Sequence, residues 1–242
     1  MFAGPNGSGK SILKSYLPEE LLGVYLNPDE IEFEVRRHGF LDFAAYGVTG
    51  TADEVLSFFK SSSFLASAGF GDVARRLGFS DGRLDFPKAE VNSYLASVAA
   101  DFLRQKLLAS KISFTFETVM SHPSKVELLA QAQRAGYRTY LYFIATDDPE
   151  INISRVRNRV KLGGHAVPED RIAPRYHRSL DLLMDAIRHA NRAYVFDNSR
   201  DSRDASGTWI AEITEGRELE LKSSQIPAWF RRAVLDKINS TT

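Results

Sequence analysis

The apolar residues of this chain change their period along its length, and the changes mark out the elements. "GVYLN" (23–27), "ISFTFET" (112–118), "RTYLYFIAT" (138–146) and "AYVFDNS" (193–199) are short runs rich in β-branched and aromatic residues, each closed by polar ones. They predict strands. Between them the apolar positions recur at helical spacing, most clearly in "KAEVNSYLASVAADFLRQKLLAS" (88–110), where Val91, Leu95, Val98, Phe102 and Leu103 predict the longest helix. "KVELLAQAQRAG" (125–136) predicts a helix stopped by Gly136, and Asp147, Asp148 and Pro149 predict the start of another with proline in its first turn. That helix is expected to end near Gly163 and Gly164, with a further one from about 169 to 191. Near the end, "TWIAEIT" and "ELELKS", split by "EGR", predict an edge hairpin before a helix near 227–238. Strands alternating with helices define an α/β class with a parallel sheet covered on both faces.

The pattern weakens from about 41 to 86, where "SSSFLASAGFGDVARRLGFSDGRLDF" mixes Ser, Gly and Phe in short helical pieces. Its aromatics and lack of low complexity mark a helical insertion rather than a linker. Phe33, Phe40, Phe43, Tyr46, Phe58, Phe59, Phe64 and Phe70 either line a pocket or form a small core under this insertion. With 242 residues the chain can bury one large core, so the expectation is a single domain over 1–242.

The first ten residues carry the chemistry. Gly4, Gly9, Lys10 and Ser11 of "GPNGSGKS" match G-x-x-x-x-G-K-[ST], a loop that binds phosphates between a strand and a helix. Glycines let successive N–H groups turn inward, the following helix adds its positive end, lysine reaches the β and γ phosphates, and the hydroxyl faces Mg²⁺. Gly4, Pro5, Asn6, Gly7, Ser8, Gly9, Lys10, Ser11 and Ile12 are therefore the expected nucleotide-binding residues, with Ser11 at the metal. Only Met1, Phe2 and Ala3 precede the loop, so the expected lead-in is a very short strand or a chain lacking a few native residues at its start.

Composition narrows the partners. Acidic and basic residues balance at 31 each, which argues against a polyanion-binding surface and hence against nucleic acid. No run approaches eighteen apolar residues and no leader pattern precedes the loop, so the expected setting is cytoplasmic, away from membranes. The chain has no cysteine, and its histidines (38, 122, 165, 177 and 189) lack ligand spacing, so a metal is expected to arrive with the nucleotide.

Other strand ends supply candidates for the reaction. Asp29 follows the second strand, where it serves either as a base for an acceptor hydroxyl or as a helix cap, with Glu30 and Glu32 favouring the positive helix end. Glu117 and Thr118 end a strand that is otherwise buried, which suits metal support, acceptor binding or a structural cap. Arg155 and Arg159 share a helical face, with Arg157 opposite, and Arg171, Arg175 and Arg178 follow beyond Gly163 and Gly164. Arginines around a glycine hinge suit a lid at about 160–178 that closes on a phosphoryl group, and equally a solvated charged face. Arg159 and Arg175 lead the candidates, then Arg155. "FDNS" (196–199) either lies against a purine or supports the phosphate loop, and Asp197 also suits a turn.

Taken together, the loop, "NPDE", "FTFET" and "RVRNRVKLGGHAVPED" followed by "RYHRSL" resemble the zeta-toxin family of phosphate-loop kinases, in the branch often labelled predicted ABC-type ATPases. The likeness runs over about 1–200. It implies a nucleoside-kinase-like fold and transfer from ATP or GTP, with Mg²⁺, to a hydroxyl of a UDP-linked N-acetyl amino sugar, with an antitoxin protein as a possible partner. It also implies Lys10 and Ser11 at the phosphates, Asp29 as base, Glu117 and Thr118 on the acceptor side, and Arg159, Arg175 and Arg155 as charge-stabilising arginines. The insertion and "FET" depart from the well-studied toxins on the acceptor side. Alternatives are a kinase for a nucleoside, antibiotic or protein, or an ATP-binding switch without transfer. An ABC engine is excluded by the lack of an L-S-G-G-Q signature and of a hydrophobic strand ending in Asp-Glu.

Overall fold

The computed structural model describes residues 1–87, 90–164, 167–200 and 207–239. Among these, the strands are β1 (Phe2–Ala3), β2 (Val24–Leu26), β3 (Phe40–Asp42), β4 (Gly78–Ser80), β5 (Arg83–Asp85), β6 (Phe114–Thr118), β7 (Tyr140–Ala145), β8 (Arg192–Asp197), β9 (Thr208–Thr214) and β10 (Glu218–Leu221). The chain forms two compact units, one of Met1–Pro18 with Glu117–Thr242 and one of Glu19–Phe116.

The first unit is a mostly parallel sheet flanked by helices. β1 is only two residues long, yet it lies between two parallel neighbours: Phe2 and Ala3 stand opposite Glu117 and Thr118 on one side and Tyr142 and Phe143 on the other. Both residues are fully buried. β7 then pairs with β8 in parallel along all six residues. β9 runs antiparallel to β8 through an irregularity at Val195 and Phe196, and β10 closes the edge as the expected hairpin. Its turn places Glu215 and Gly216 at positive φ, and Arg217 N–H closes it on Thr214 O at 3.0 Å.

The helices of this unit follow from local signals. Asp148 caps Pro149–Lys161 by accepting the Glu150 N–H, and proline fills the first turn, where its missing N–H costs nothing. The helical span expected from 169 to 191 is divided at Leu182 into Glu169–Asp181 and Leu183–Arg188. The first of these packs on Pro149–Lys161 through Ile153, Val156 and Ile172, with Val167 against them. At the C-terminal end, Ala228–Phe230 continues through a π turn, Arg231–Leu235, into Asp236–Asn239. It anchors the unit by burying Trp229 and Phe230 completely.

In the second unit, β2 runs parallel to Phe114–Phe116. The helix Pro28–His38 has Asn27 as its cap and ends at Gly39 in the left-handed region, with φ of 83°. It packs against Ser93–Ala109, the longest helix among the described residues, which starts five residues later than the apolar period suggests. The reason is Asn92, whose side chain accepts the N–H groups of Tyr94 and Leu95.

The insertion contains the expected helices, Ala52–Lys60, Ser63–Ser67 and Gly71–Arg75, and also a three-stranded antiparallel sheet ordered β3, β5, β4. The purely helical expectation is corrected there. Its strands are three residues long, too short to show an alternating pattern, and Asp81 and Gly82 turn the chain between β4 and β5 at positive φ. The aromatics divide. Phe43 and Phe59 are buried in a cluster with Phe58 and Phe102, whereas Phe33 and Phe64 are exposed.

Burial raises the hydroxyls of Tyr46, Tyr142 and Tyr176 to about 12 each. In the unfolded chain a tyrosine ionises near pH 10, so between about pH 10 and pH 12 the unfolded state gives up protons that the folded state keeps. Stability is therefore expected to fall across that window. Following tyrosinate absorbance and helical circular dichroism together checks this, since the two transitions should coincide.

Candidate phosphate-binding site

The site begins where β1 stops. Gly4 leaves the strand with φ of 147° and donates its N–H to Thr118 O at 3.3 Å. Gly7 and Gly9 follow with φ of 74° and 97°, and the helix Lys10–Lys14 starts directly after them. Each glycine is required by space as well as by φ. A Cβ on Gly4 would overlap Ile144 O, one on Gly7 would lie 2.6 Å from Asn152 O, and one on Gly9 would overlap the Asn198 amide. Gly4→Ala is expected to cost about 3 kcal/mol or more, because the obstacle is backbone of the buried strand β7 and the φ disfavours a side chain. Chemical denaturation against the parent measures it.

Lys10 folds back over the loop, donating to Gly4 O at 2.9 Å and Pro5 O at 3.0 Å. The ammonium is thus held by the first two residues of the loop. Ser11, one residue into the helix, is exposed. Inside the loop, the Ser8 side chain is fully buried, and neither its hydroxyl nor the Asn6 side-chain oxygen has a hydrogen-bond partner. These features fit a polyanion with a metal on its outer side: Ser11 would meet Mg²⁺, and Lys10 and the loop amides would meet phosphate oxygens.

The loop is held from behind by side chains on two other elements. Asn152, fully buried on the helix Pro149–Lys161, donates to Asn6 O at 2.6 Å. Its own oxygen accepts from the Thr146 hydroxyl, and Tyr176 donates to Thr146 O at 2.6 Å. Asn198, just past β8, donates its amide to Ser8 O at 2.8 Å. Of the two roles open to "FDNS", support of the loop is the one that the geometry shows. Asp197 accepts from Ser199 and, at 2.7 Å, from Trp229 Nε1, which ties the end of β8 to the C-terminal helix.

The remaining candidates are placed as follows. Arg155 donates to Asn198 O at 2.7 Å, which joins it to the scaffold of the loop. Arg159 lies in the last turn of the same helix, and its carbonyl accepts the Gly164 N–H at 2.9 Å. Arg175 is half-buried on Glu169–Asp181, the helix packed against it. Arg157 pairs with Glu169 at the surface, and Arg178 donates to Ser121 O at 3.3 Å. His165 of the Gly-Gly-His stretch lies outside the described residues.

Glu117 and Thr118 are half-buried beside β1, with the Thr118 hydroxyl accepting the Met120 N–H at 3.0 Å. Asp29, in the second unit, is exposed in the first turn of Pro28–His38. It is not that helix's cap: Asn27 is, accepting the Asp29 N–H at 2.9 Å. Glu32 is buried and paired with Arg36 at 2.6 Å rather than serving the helix end.

Sequence reasoning passed over Thr146, Asn152 and Tyr176. The available signal was Asn152 itself, a polar residue next to Ile153 and one turn before Val156 on the buried face of its helix.

Comparison with known proteins bears on the fold and on part of the chain. The zeta toxin family model matches residues 88–207. An uncharacterized protein of Haemophilus influenzae is 35% identical over 65 residues, which make up 27% of this chain and 46% of that relative. The match thus spans about half the length of that relative. Among solved structures, AvrRxo1-ORF1:-ORF2 with ATP has a TM-score of 0.50 at 17% identity, covering 91% of this chain and 60% of that one. The same complex with sulphate ions gives 0.51 at 16% identity, covering 92% and 60%. The family match covers just under half of the chain, and the fold is of the mixed α/β, kinase-like type that these structures have. Among the described residues, no helix is long and apolar enough to cross a membrane.

Proposed function

We propose that this chain is a phosphotransferase that moves the γ-phosphoryl group of ATP or GTP to a hydroxyl of a UDP-linked N-acetyl amino sugar or a similar small molecule. The observation that carries this reading is the loop itself: three glycines pressed against neighbouring atoms, with Lys10 on the carbonyls of Gly4 and Pro5. The ATP complex of AvrRxo1-ORF1:-ORF2, a protein of similar fold, supports it.

In the reaction, the acceptor oxygen forms a bond to the γ phosphorus, the bond to the β-phosphate oxygen breaks, and the nucleoside diphosphate leaves. The acceptor proton passes to the Asp29 carboxylate and from there to solvent. Lys10 leaves the two carbonyls for the phosphate oxygens, and its charge offsets the charge that builds between the β and γ phosphates. Arg159 and Arg175, with Arg155 behind them, add positive charge from the two packed helices, and Glu117 and Thr118 stand on the acceptor side. Ser11, together with the phosphates, would hold Mg²⁺, which would supply charge neutralisation. Residues 160–178 act as the lid and 41–86 as an insertion within one kinase domain. The AvrRxo1 structures are complexes with a second chain, ORF2, and an antitoxin-like protein partner belongs to this reading.

The test is acceptor-dependent release of ADP or GDP. UDP-linked amino sugars, nucleosides, hydroxylated antibiotics and proteins are offered in turn with γ-labelled nucleotide. Label on a UDP-linked sugar is the expected result. Label on another class moves the acceptor assignment, and nucleotide binding without any transfer favours a switch.

A further inference from the structure

We infer that Asn152 and Asn198 are positioning residues that aim the Gly7 and Gly9 N–H groups at the phosphates, an inference resting on the nucleotide-binding reading above. A peptide unit is planar and trans, so its C=O and N–H point in opposite directions. Fixing a carbonyl therefore fixes the N–H of the next residue. Asn152 holds Asn6 O at 2.6 Å, which turns the Gly7 N–H away from the helix Pro149–Lys161. Asn198 holds Ser8 O at 2.8 Å, which does the same for the Gly9 N–H on the side of β8.

Both residues press on the faces where glycine lacks a side chain, Asn152 with its backbone and Asn198 with its side-chain amide. Asn152 O lies 2.6 Å from a Cβ position at Gly7, and the Asn198 amide crowds that of Gly9. The N–H groups of Gly7 and Gly9 are thus turned away from the carbonyls that the two asparagines hold. Each asparagine is in turn held. The Asn152 oxygen accepts from the Thr146 hydroxyl, whose carbonyl takes the Tyr176 hydroxyl. The Asn198 N–H donates to Ala145 O at 2.8 Å, and Arg155 donates to Asn198 O. Asn152 and Arg155 lie on the same helix as Arg159, so the element that carries a lid arginine also sets the loop's donors.

The motif specifies glycine, lysine and serine but not these partners, which lie 146 and 190 residues from the carbonyls they hold. A loop whose carbonyls were free to turn would place fewer donors on an anion and lose phosphate affinity without losing affinity for the base or sugar.

The test compares Mg-ADP with AMP by titration calorimetry on the full chain, since the difference between them reports the loop's grip on the second phosphate. In Asn152→Ala and Asn198→Ala, ADP affinity is expected to fall about tenfold while AMP affinity stays within twofold. A structural role alone would lower the melting temperature and leave the ratio of ADP to AMP affinity at the parent value, and that ratio in a folded variant overturns the inference. If either alanine variant does not fold, Thr146→Val, nearly isosteric and lacking only the hydroxyl that orients Asn152, takes its place. It is expected to lower the ratio about threefold, and an unchanged ratio overturns the Asn152 assignment. Should the parent bind ADP no better than AMP, the nucleotide reading itself fails, and this inference with it.

Discussion

Lys10→Ala is expected to reduce phosphoryl transfer by about a hundredfold to a thousandfold, the range for removing one preorganised donor from developing charge. The side chain has no structural substitute here. Its ammonium bridges Gly4 O and Pro5 O at 2.9 and 3.0 Å, and the next residue, Ser11, already belongs to the outer side of the helix start. Gly4 and Pro5 are buried, so losing the ammonium leaves two buried carbonyls short of a donor, and stability is expected to fall by about 1–3 kcal/mol. Single-turnover rates with γ-labelled nucleotide, beside a thermal melt, separate the two effects. A variant that transfers at the parent rate would remove the lysine from the chemistry.

Asp29→Asn is expected to keep nucleotide affinity within about threefold of the parent while lowering turnover by about two to four orders of magnitude, as for loss of a general base. The local structure makes this a clean comparison. Asn27 caps the helix and Pro28 occupies its first position, so the Asp29 carboxylate is not needed to satisfy the helix end. Its exposed side chain tolerates an isosteric amide, and the expected change in stability is within about 0.5 kcal/mol. The split between binding and turnover is what matters: equal loss of both would mark Asp29 as a binding group, and full turnover would remove it as base.

How far the sequence reaches differs between the two kinds of feature. Gly4, Gly9, Lys10 and Ser11 are legible because the loop needs those residue types at that spacing, and the strands β7 and β8 because six consecutive residues carry their pattern. Phe2 and Ala3 are buried between parallel neighbours on both sides, which their apolar character makes legible.

The supports of the loop were far less legible. Asn152 and Asn198 meet the loop across most of the chain, and a single asparagine carries no mark of its distant partner. Asn198 was within reach because it ends a strand, where polar residues collect. Asn152 sits inside a helix, and only its place on the buried face sets it apart. The small sheet β3, β5, β4 escaped for a different reason, since three-residue strands leave periodicity nothing to act on.

Arg155 shows what residue type leaves open. Its spacing to Arg159 suggests a common task at the phosphoryl group, and its guanidinium also donates to Asn198 O, the residue that holds Ser8. Both arginines share a helix, but one contact turns Arg155 toward the loop's scaffold.

A crystal structure of the full chain with Mg²⁺ and a nonhydrolysable ATP analogue at saturation would decide whether the glycine loop is a triphosphate cradle. The β-phosphate should lie within hydrogen-bond distance of the Gly7 and Gly9 N–H groups, Ser11 should meet the metal, and Lys10 should have moved from Gly4 O and Pro5 O to the phosphates. An analogue bound elsewhere, with Lys10 still on those carbonyls, would contradict it.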